Sequence, residues 1–153
     1  MLKSDVFVSN KNWNKYIKKP DQYINQKLKK INKKSNMFKK VNLKFSLLLS
    51  NNSEVKNLNK RFRNKNKTTD VLSFPFLDKK NLNKIFKEKK EMYIGDVIVN
   101  LSEIIKQGKE TSFILAFDKI WIHGFLHLIG YRHRLNKDFI KMQKLENKLI
   151  NLL

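Results

Sequence analysis

Apolar and polar residues alternate along Val41–Leu49. Val41, Leu43, Phe45, Leu47 and Leu49 fall on one side of an extended chain, and Asn42, Lys44, Ser46 and Leu48 fall on the other. A period of two marks a strand with one buried face. Val6–Val8 reads as a short first strand and Ile94–Val99 as another. Thr69–Phe74 reads as a strand ended by Pro75, because proline cannot donate to a ladder. Elsewhere the period lengthens to that of a helix. Pro20 suits a first turn, and Ile24, Leu28 and Ile31 follow at helical spacing to about Lys33. Val55, Leu58 and Phe62 form the stripe of a short helix that Ser53 is placed to cap, with Glu54 in its first turn. Asn100 is placed to cap a short helix from Leu101, and Ser112 a longer one to about Ile129. Phe139, Met142, Leu145, Leu149 and Leu152 describe a final amphipathic helix. Lys79–Glu91 is charged enough to read as a solvated loop or hairpin. The pattern predicts one α+β domain over residues 1–153, with a mixed sheet of about four strands packed by helices.

Composition narrows the function. At 153 residues and 41% hydrophobic, the chain can bury a core without covalent staples. It has no cysteine, which excludes disulfides, thiolate metal sites and cysteine nucleophiles. The most apolar run, Phe113–Phe117, stops at Asp118 and Lys119, far short of the ~20 residues of a membrane span. The N-terminus lacks the long apolar region of a signal peptide, so a cytoplasmic protein without a membrane partner is expected. Thirty-four basic residues face thirteen acidic ones, a net charge of +21. Part of that excess reflects the use of Lys and Asn at polar positions, as in proteins of AT-rich genomes. The rest favours a polyanion as partner, nucleic acid before an anionic membrane.

The chain holds three histidines, and all lie in HGFLHLIGYRH, positions 123 to 133. His123 and His127 are four apart and share one face of a helix. A continuous helix would turn His133 about 600° beyond His127, off that face. Gly130 stands between them and is the residue type that ends a helix in the left-handed conformation. The chain can then turn back and present His133. Three imidazoles without a thiolate suit one zinc ion with an open fourth position, although imidazole does not discriminate sharply against Ni²⁺ or Co²⁺. Position 124, where an HExxH protease carries its glutamate base, is glycine, which also relieves crowding beside the metal.

The segment HGFLHLIGYRH resembles the signature H-G-x-L-H-L-x-G-Y-D-H of the YbeY family, bacterial zinc-dependent endoribonucleases that mature ribosomal RNA. LNKRFRNKNKTTDVLSFPF (Leu58–Phe76), GDVIVN (Gly95–Asn100) and LLLSNNSEVKNLN are similar to further family segments in the same order. The resemblance implies an α+β fold with zinc on His123, His127 and His133. It implies single-strand-specific endoribonuclease activity in late 16S rRNA 3′-end maturation and ribosome quality control. It further implies ribosomal RNA and the small ribosomal subunit as partners, with Arg63 as the functional arginine. A monomer is expected. Phe62 departs from the family's Tyr, and Arg132 from its Asp, which reverses the local charge. Asp70 and Asp96 are the carboxylates available to assist. Trp121 and Phe125 suit a helix core better than base stacking, whereas Tyr131 at the turn is more exposed. Two other readings stand beside this one. One is a non-catalytic rRNA-binding assembly factor with a structural metal. The other is a zinc hydrolase of another bond, such as a peptidase, which the glycine at 124 and the positive charge disfavour.

Overall fold

A computed structural model describes residues 1–78, 81, 91–133 and 135–153. Four strands form one mixed sheet: β1 (Leu2–Val8), β2 (Asn42–Ser50), β3 (Val71–Pro75) and β4 (Glu91–Asn100). Their order is β1-β2-β4-β3, so β3 is an edge. β1 and β4 both run parallel to β2, and β3 runs antiparallel to β4. A parallel pair needs a crossover, and helix α1 (Pro20–Lys34) supplies it between β1 and β2. The described residues also form the helices α2 (Asn52–Arg63), α3 (Leu101–Gly108), α4 (Phe113–Leu128) and α5 (Asn136–Ile150).

The alternation in β2 does what its period predicts. Leu43, Phe45, Leu47 and Leu49 are buried in the main core, together with Val97 and Val99 of β4, Ile24 and Ile31 of α1, and Trp121 and Phe125 of α4. The opposite face of the sheet carries a smaller core of Val55, Leu72 and Ile98, with Leu48, Leu58 and Phe74 against it. Thus α2 covers one face, while α1 and α4 cover the other. α4 lies across β3 and β4, and α3 and α5 pack against α4.

Several boundaries differ from the sequence reading. β1 begins at Leu2, because parallel pairing with β2 runs from Leu2 opposite Leu43 to Val8 opposite Leu49. Asn51, not Ser53, caps α2: its backbone is still extended and its side chain accepts from the Glu54 N–H, whereas Ser53 is already inside the helix. Pro75 is the last residue of β3 and does not lie beyond it, which an edge strand tolerates. Phe139 is exposed, and α5 buries Met142 and Leu149 instead. Of the predicted loop, residues 79, 80 and 82–90 lie outside the described residues, and Glu91 already belongs to β4. Asn100 and Ser112 cap α3 and α4 as expected. The β2–β4 register slips between Lys44 and Ser46. Gly95 sits at that bulge with φ +132°, where a Cβ would lie 2.1 Å from the Phe74 carbonyl oxygen.

Candidate metal centre and its cleft

The centre is built by the end of α4. Trp121, Phe125 and Leu128 are fully buried, which fixes the roll of the helix. His123 and His127 then share a half-buried face, with their Nε2 atoms 3.1 Å apart. The helix closes at Gly130, whose φ is +89°. The Tyr131 N–H donates to the Leu126 carbonyl at 3.0 Å, and the Gly130 N–H donates to the His127 carbonyl at 3.1 Å. This pair of bonds is the glycine-dependent reversal that the spacing predicts. His133 returns beside the other two, and one ligand atom from each of the three imidazoles lies within 4.8 Å of the others. Among the described residues no carboxylate joins the group.

Two contacts orient the rings. His127 Nδ1 donates to the Tyr131 carbonyl at 2.8 Å, which leaves Nε2 with a free lone pair toward the centre. The turn that reverses the chain therefore also sets the tautomer of a ligand. Burial, above all, pushes the His127 pKa down to about 4; the neighbouring His123, His133 and Arg63 push the same way, against the Tyr131 hydrogen bond. The ring is neutral at physiological pH, as a ligand must be. His123 Nδ1 faces Glu146 Oε2 of α5 at 3.4 Å, the arrangement in which a carboxylate steers a metal-binding imidazole. Three converging imidazoles, two of them held through Nδ1, fit a cation of zinc type.

The centre opens into a cleft of about 620 Å³, whose walls include Arg63, Asp70, Ser73 and Arg132. Arg63 is the last residue of α2, on the opposite face of the sheet from α4, and it reaches the cleft around the β3 edge. Its Nη2 donates to the Ser73 carbonyl at 2.9 Å, and its guanidinium lies 5.6 Å from the Phe74 ring centre. The Ser73 hydroxyl in turn donates to the Gly124 carbonyl at 3.0 Å. One serine thus ties the arginine wall to the histidine helix.

Gly124 corrects the sequence reading in one respect. The crowding there has a source in the sheet: a Cβ would lie 2.6 Å from Val97 Cγ1, 3.0 Å from Val71 Cγ2 and 3.2 Å from Ser73 Oγ. Asp70 lines the cleft, but both its oxygens hold the turn into β3, accepting from Val71 N and Thr69 Oγ1 on one side and from Gln107 Nε2 on the other. Asp96 is not part of the cleft lining and accepts from the Tyr93 hydroxyl at 2.5 Å. Trp121 and Phe125 are core residues, and the Trp121 indole donates to Asp118. Tyr131 is half-buried. Sequence reasoning missed Glu146, Ser73 and the Tyr131 carbonyl. The first two act across elements, and a backbone carbonyl carries no residue-type signal.

These features define a class: an α+β protein with a tri-histidine centre facing an arginine-lined, anion-receptive cleft. Residues 7–153 match the family described as Endoribonuclease YbeY, and the chain belongs to that family. It is 47% identical over 152 residues to the Endoribonuclease YbeY of Pelagibacter ubique, covering 96% of this chain and 93% of that one. It is 34% identical to the protein of the same name from Thermodesulfovibrio yellowstonii, covering 82% of this chain and 74% of the relative. A solution structure of a Thermotoga maritima protein superposes with a TM-score of 0.65 at 24% identity, over 98% of this chain and 88% of that one, and shares the fold.

Proposed function

We propose that residues 1–153 form a single metal-dependent endoribonuclease domain specific for single-stranded RNA, with one zinc ion on His123, His127 and His133 and with Arg63 as a catalytic residue. One observation carries this reading: three imidazoles converge in the same cleft as a guanidinium tethered to the sheet. Zinc bound there supplies Lewis acidity for phosphodiester hydrolysis. Arg63 keeps one N–H on the Ser73 carbonyl, and the rest of its planar fork remains to bind phosphate oxygens. The tether holds the fork in place before substrate arrives, so charge growing in the transition state meets a fixed donor. Arg132 lines the same cleft and adds a cation where the family signature has an aspartate. With all three histidines as ligands, none is left for acid–base work, and Asp70 is the carboxylate in this cleft.

Family membership and the +21 charge support ribosomal RNA of the small subunit as substrate. The reading is completed by 16S rRNA 3′-end maturation and ribosome quality control, carried out by a monomer in the cytoplasm. Among the described residues, no helix is long and apolar enough to cross a membrane.

The test is cleavage of a single-stranded oligoribonucleotide and of a 3′-extended 16S fragment by wild-type, metal-stripped and Arg63→Ala protein. At saturating RNA, loss of one fixed donor lowers the single-turnover rate by about a hundredfold while binding stays nearly intact. Equal rates for wild type and Arg63→Ala remove Arg63 from the chemistry. RNA binding without cleavage by the metal-loaded wild type would instead leave an assembly factor with a structural metal.

A further inference from the structure

Two phenylalanines beside the cleft are left in water. Phe62 of α2 is 59% exposed and Phe76, just after β3, is 70% exposed. They do not stand singly. The Phe62 ring meets Phe74 edge-on at 5.4 Å, and Phe76 meets Tyr93 in the same manner at 6.1 Å. Phe74 and Phe76 are two apart on an extended chain and so share one face. Cations accompany the rings: the Arg61 guanidinium lies 5.3 Å from the Phe62 centre, and that of Arg63 5.6 Å from the Phe74 centre. A strip of alternating guanidinium and aromatic groups therefore leaves the metal cleft at Arg63 and runs through Phe74 and Phe62 to Arg61.

Exposed rings interleaved with guanidinium planes are the chemistry that receives unpaired bases and their phosphates. The last turn of α2 carries Lys60, Arg61 and Arg63, so the strip matches a polyanion and repels a basic surface such as a second copy of this chain. Its contact with the cleft through Arg63 places it where nucleotides flanking a bound phosphate would lie. On these grounds, and resting on the endoribonuclease reading above, we propose that Phe62, Phe74 and Phe76 form a base-stacking subsite that grips single-stranded RNA next to the cleavage site. A duplex, with its bases already stacked on one another, cannot use it, so the strip contributes to selection of single strands.

The test compares wild type, Phe62→Leu, Phe62→Tyr and Phe76→Leu. The probes are a single-stranded oligoribonucleotide containing 2-aminopurine and an abasic strand of equal length. Phe62→Leu is expected to weaken binding of the base-containing strand about tenfold and to relieve the 2-aminopurine quenching. The abasic strand binds it as wild type does, and Phe62→Tyr, which keeps the ring, binds both strands as wild type does. Phe76→Leu repeats the pattern at the ring two residues beyond Phe74 and carries the test if Phe62→Leu folds poorly. Equal losses on both strands, or no loss on either, while wild type still cleaves RNA, overturn the stacking subsite alone. So does a wild-type dimer that Phe62→Leu separates with RNA affinity unchanged, since the strip is then a protein contact. A wild type that neither binds nor cleaves RNA overturns the endoribonuclease reading and this subsite together.

Discussion

Gly124→Ala adds one methyl group where α4 meets the sheet. That Cβ falls 2.6 Å from Val97 Cγ1 and 3.0 Å from Val71 Cγ2. Carbon atoms rest at about 3.5–4.0 Å, so the contact must open by roughly 1 Å. Both valines are β-branched and stiff at χ1, and neither can swing aside cheaply. The helix therefore withdraws from β3 and β4. Overpacking of this kind costs about 1–3 kcal/mol, and replacing a helical glycine by alanine returns about 1 kcal/mol. A net loss of about 0–2 kcal/mol lowers Tm by only a few degrees in a domain of this size. Function suffers more. His123 and His127 ride on α4, and His133 is tied to it through the Gly130 turn, so the three ligands move together and keep their metal. Arg63, at the end of α2 and tethered to β3, stays behind, and the Ser73–Gly124 hydrogen bond that joins the arginine to the histidine helix stretches. A misplacement of about 1 Å between reacting groups can cost about a hundredfold in rate. Thermal scans, metal analysis and single-turnover cleavage of a single-stranded oligoribonucleotide measure the three quantities separately. A variant with metal intact and the wild-type rate would refute the coupling. Loss of metal would refute the rigid movement of the three ligands.

Further outcomes follow from the same geometry. His127→Ala removes the ligand whose tautomer the turn sets, and both bound metal and thermal stability should fall; full metal occupancy by elemental analysis would contradict the site. Glu146→Ala frees the His123 ring, and zinc affinity measured by chelator competition should drop about 10–100-fold with the fold intact; unchanged affinity would make the 3.4 Å contact incidental. Burial first, then the charge and hydrogen bond of Asp118, hold the Tyr23 pKa above its ordinary value of 10. The unfolded chain ionises at about pH 10 while the folded phenol stays neutral, so this contribution to stability is complete below that pH and is lost as pH rises beyond it. Urea melts on both sides of pH ~10 should show a shallower alkaline loss for Tyr23→Phe than for wild type, and parallel losses would remove Tyr23 as the cause.

Local signals were legible in the sequence, and relations between distant elements were not. The β2 alternation, the i, i+4 histidines and Gly130 each act within one or two turns of chain, so residue type and spacing suffice to read them. The strand order depends on pairings between residues about forty apart, such as Leu2 with Leu43, and no periodicity encodes that choice. For the same reason Arg63 was reached only through family resemblance. Its place in the cleft follows from β3 lying at the edge of the sheet, which lets the end of α2 reach round to the side that α4 occupies. Asn51 was passed over because Asn51, Asn52 and Ser53 are all competent caps, and the choice among them depends on where β2 releases the chain.

Gly124 shows how the structure changes the weight of a motif. In the sequence it marks only the absence of a protease glutamate. In the fold a Cβ there would enter the space already filled by Val97, Val71 and Ser73. A glutamate there would have to force its side chain into that filled space, so the close packing of α4 on β3 and β4 leaves position 124 no room for a protease base. The carbonyl of residue 124 is already engaged by Ser73. The cleft that the histidines face is lined instead by two guanidinium groups, Arg63 from the end of α2 and Arg132 from the turn before His133. Two guanidinium groups cannot activate water as a glutamate does, and they gain little from a neutral peptide carbonyl. They gain much from a phosphodiester, whose charge is present in the ground state and grows in the transition state. The packing at position 124 and the two guanidinium groups in the cleft thus weigh together against the peptidase alternative and for the nuclease reading.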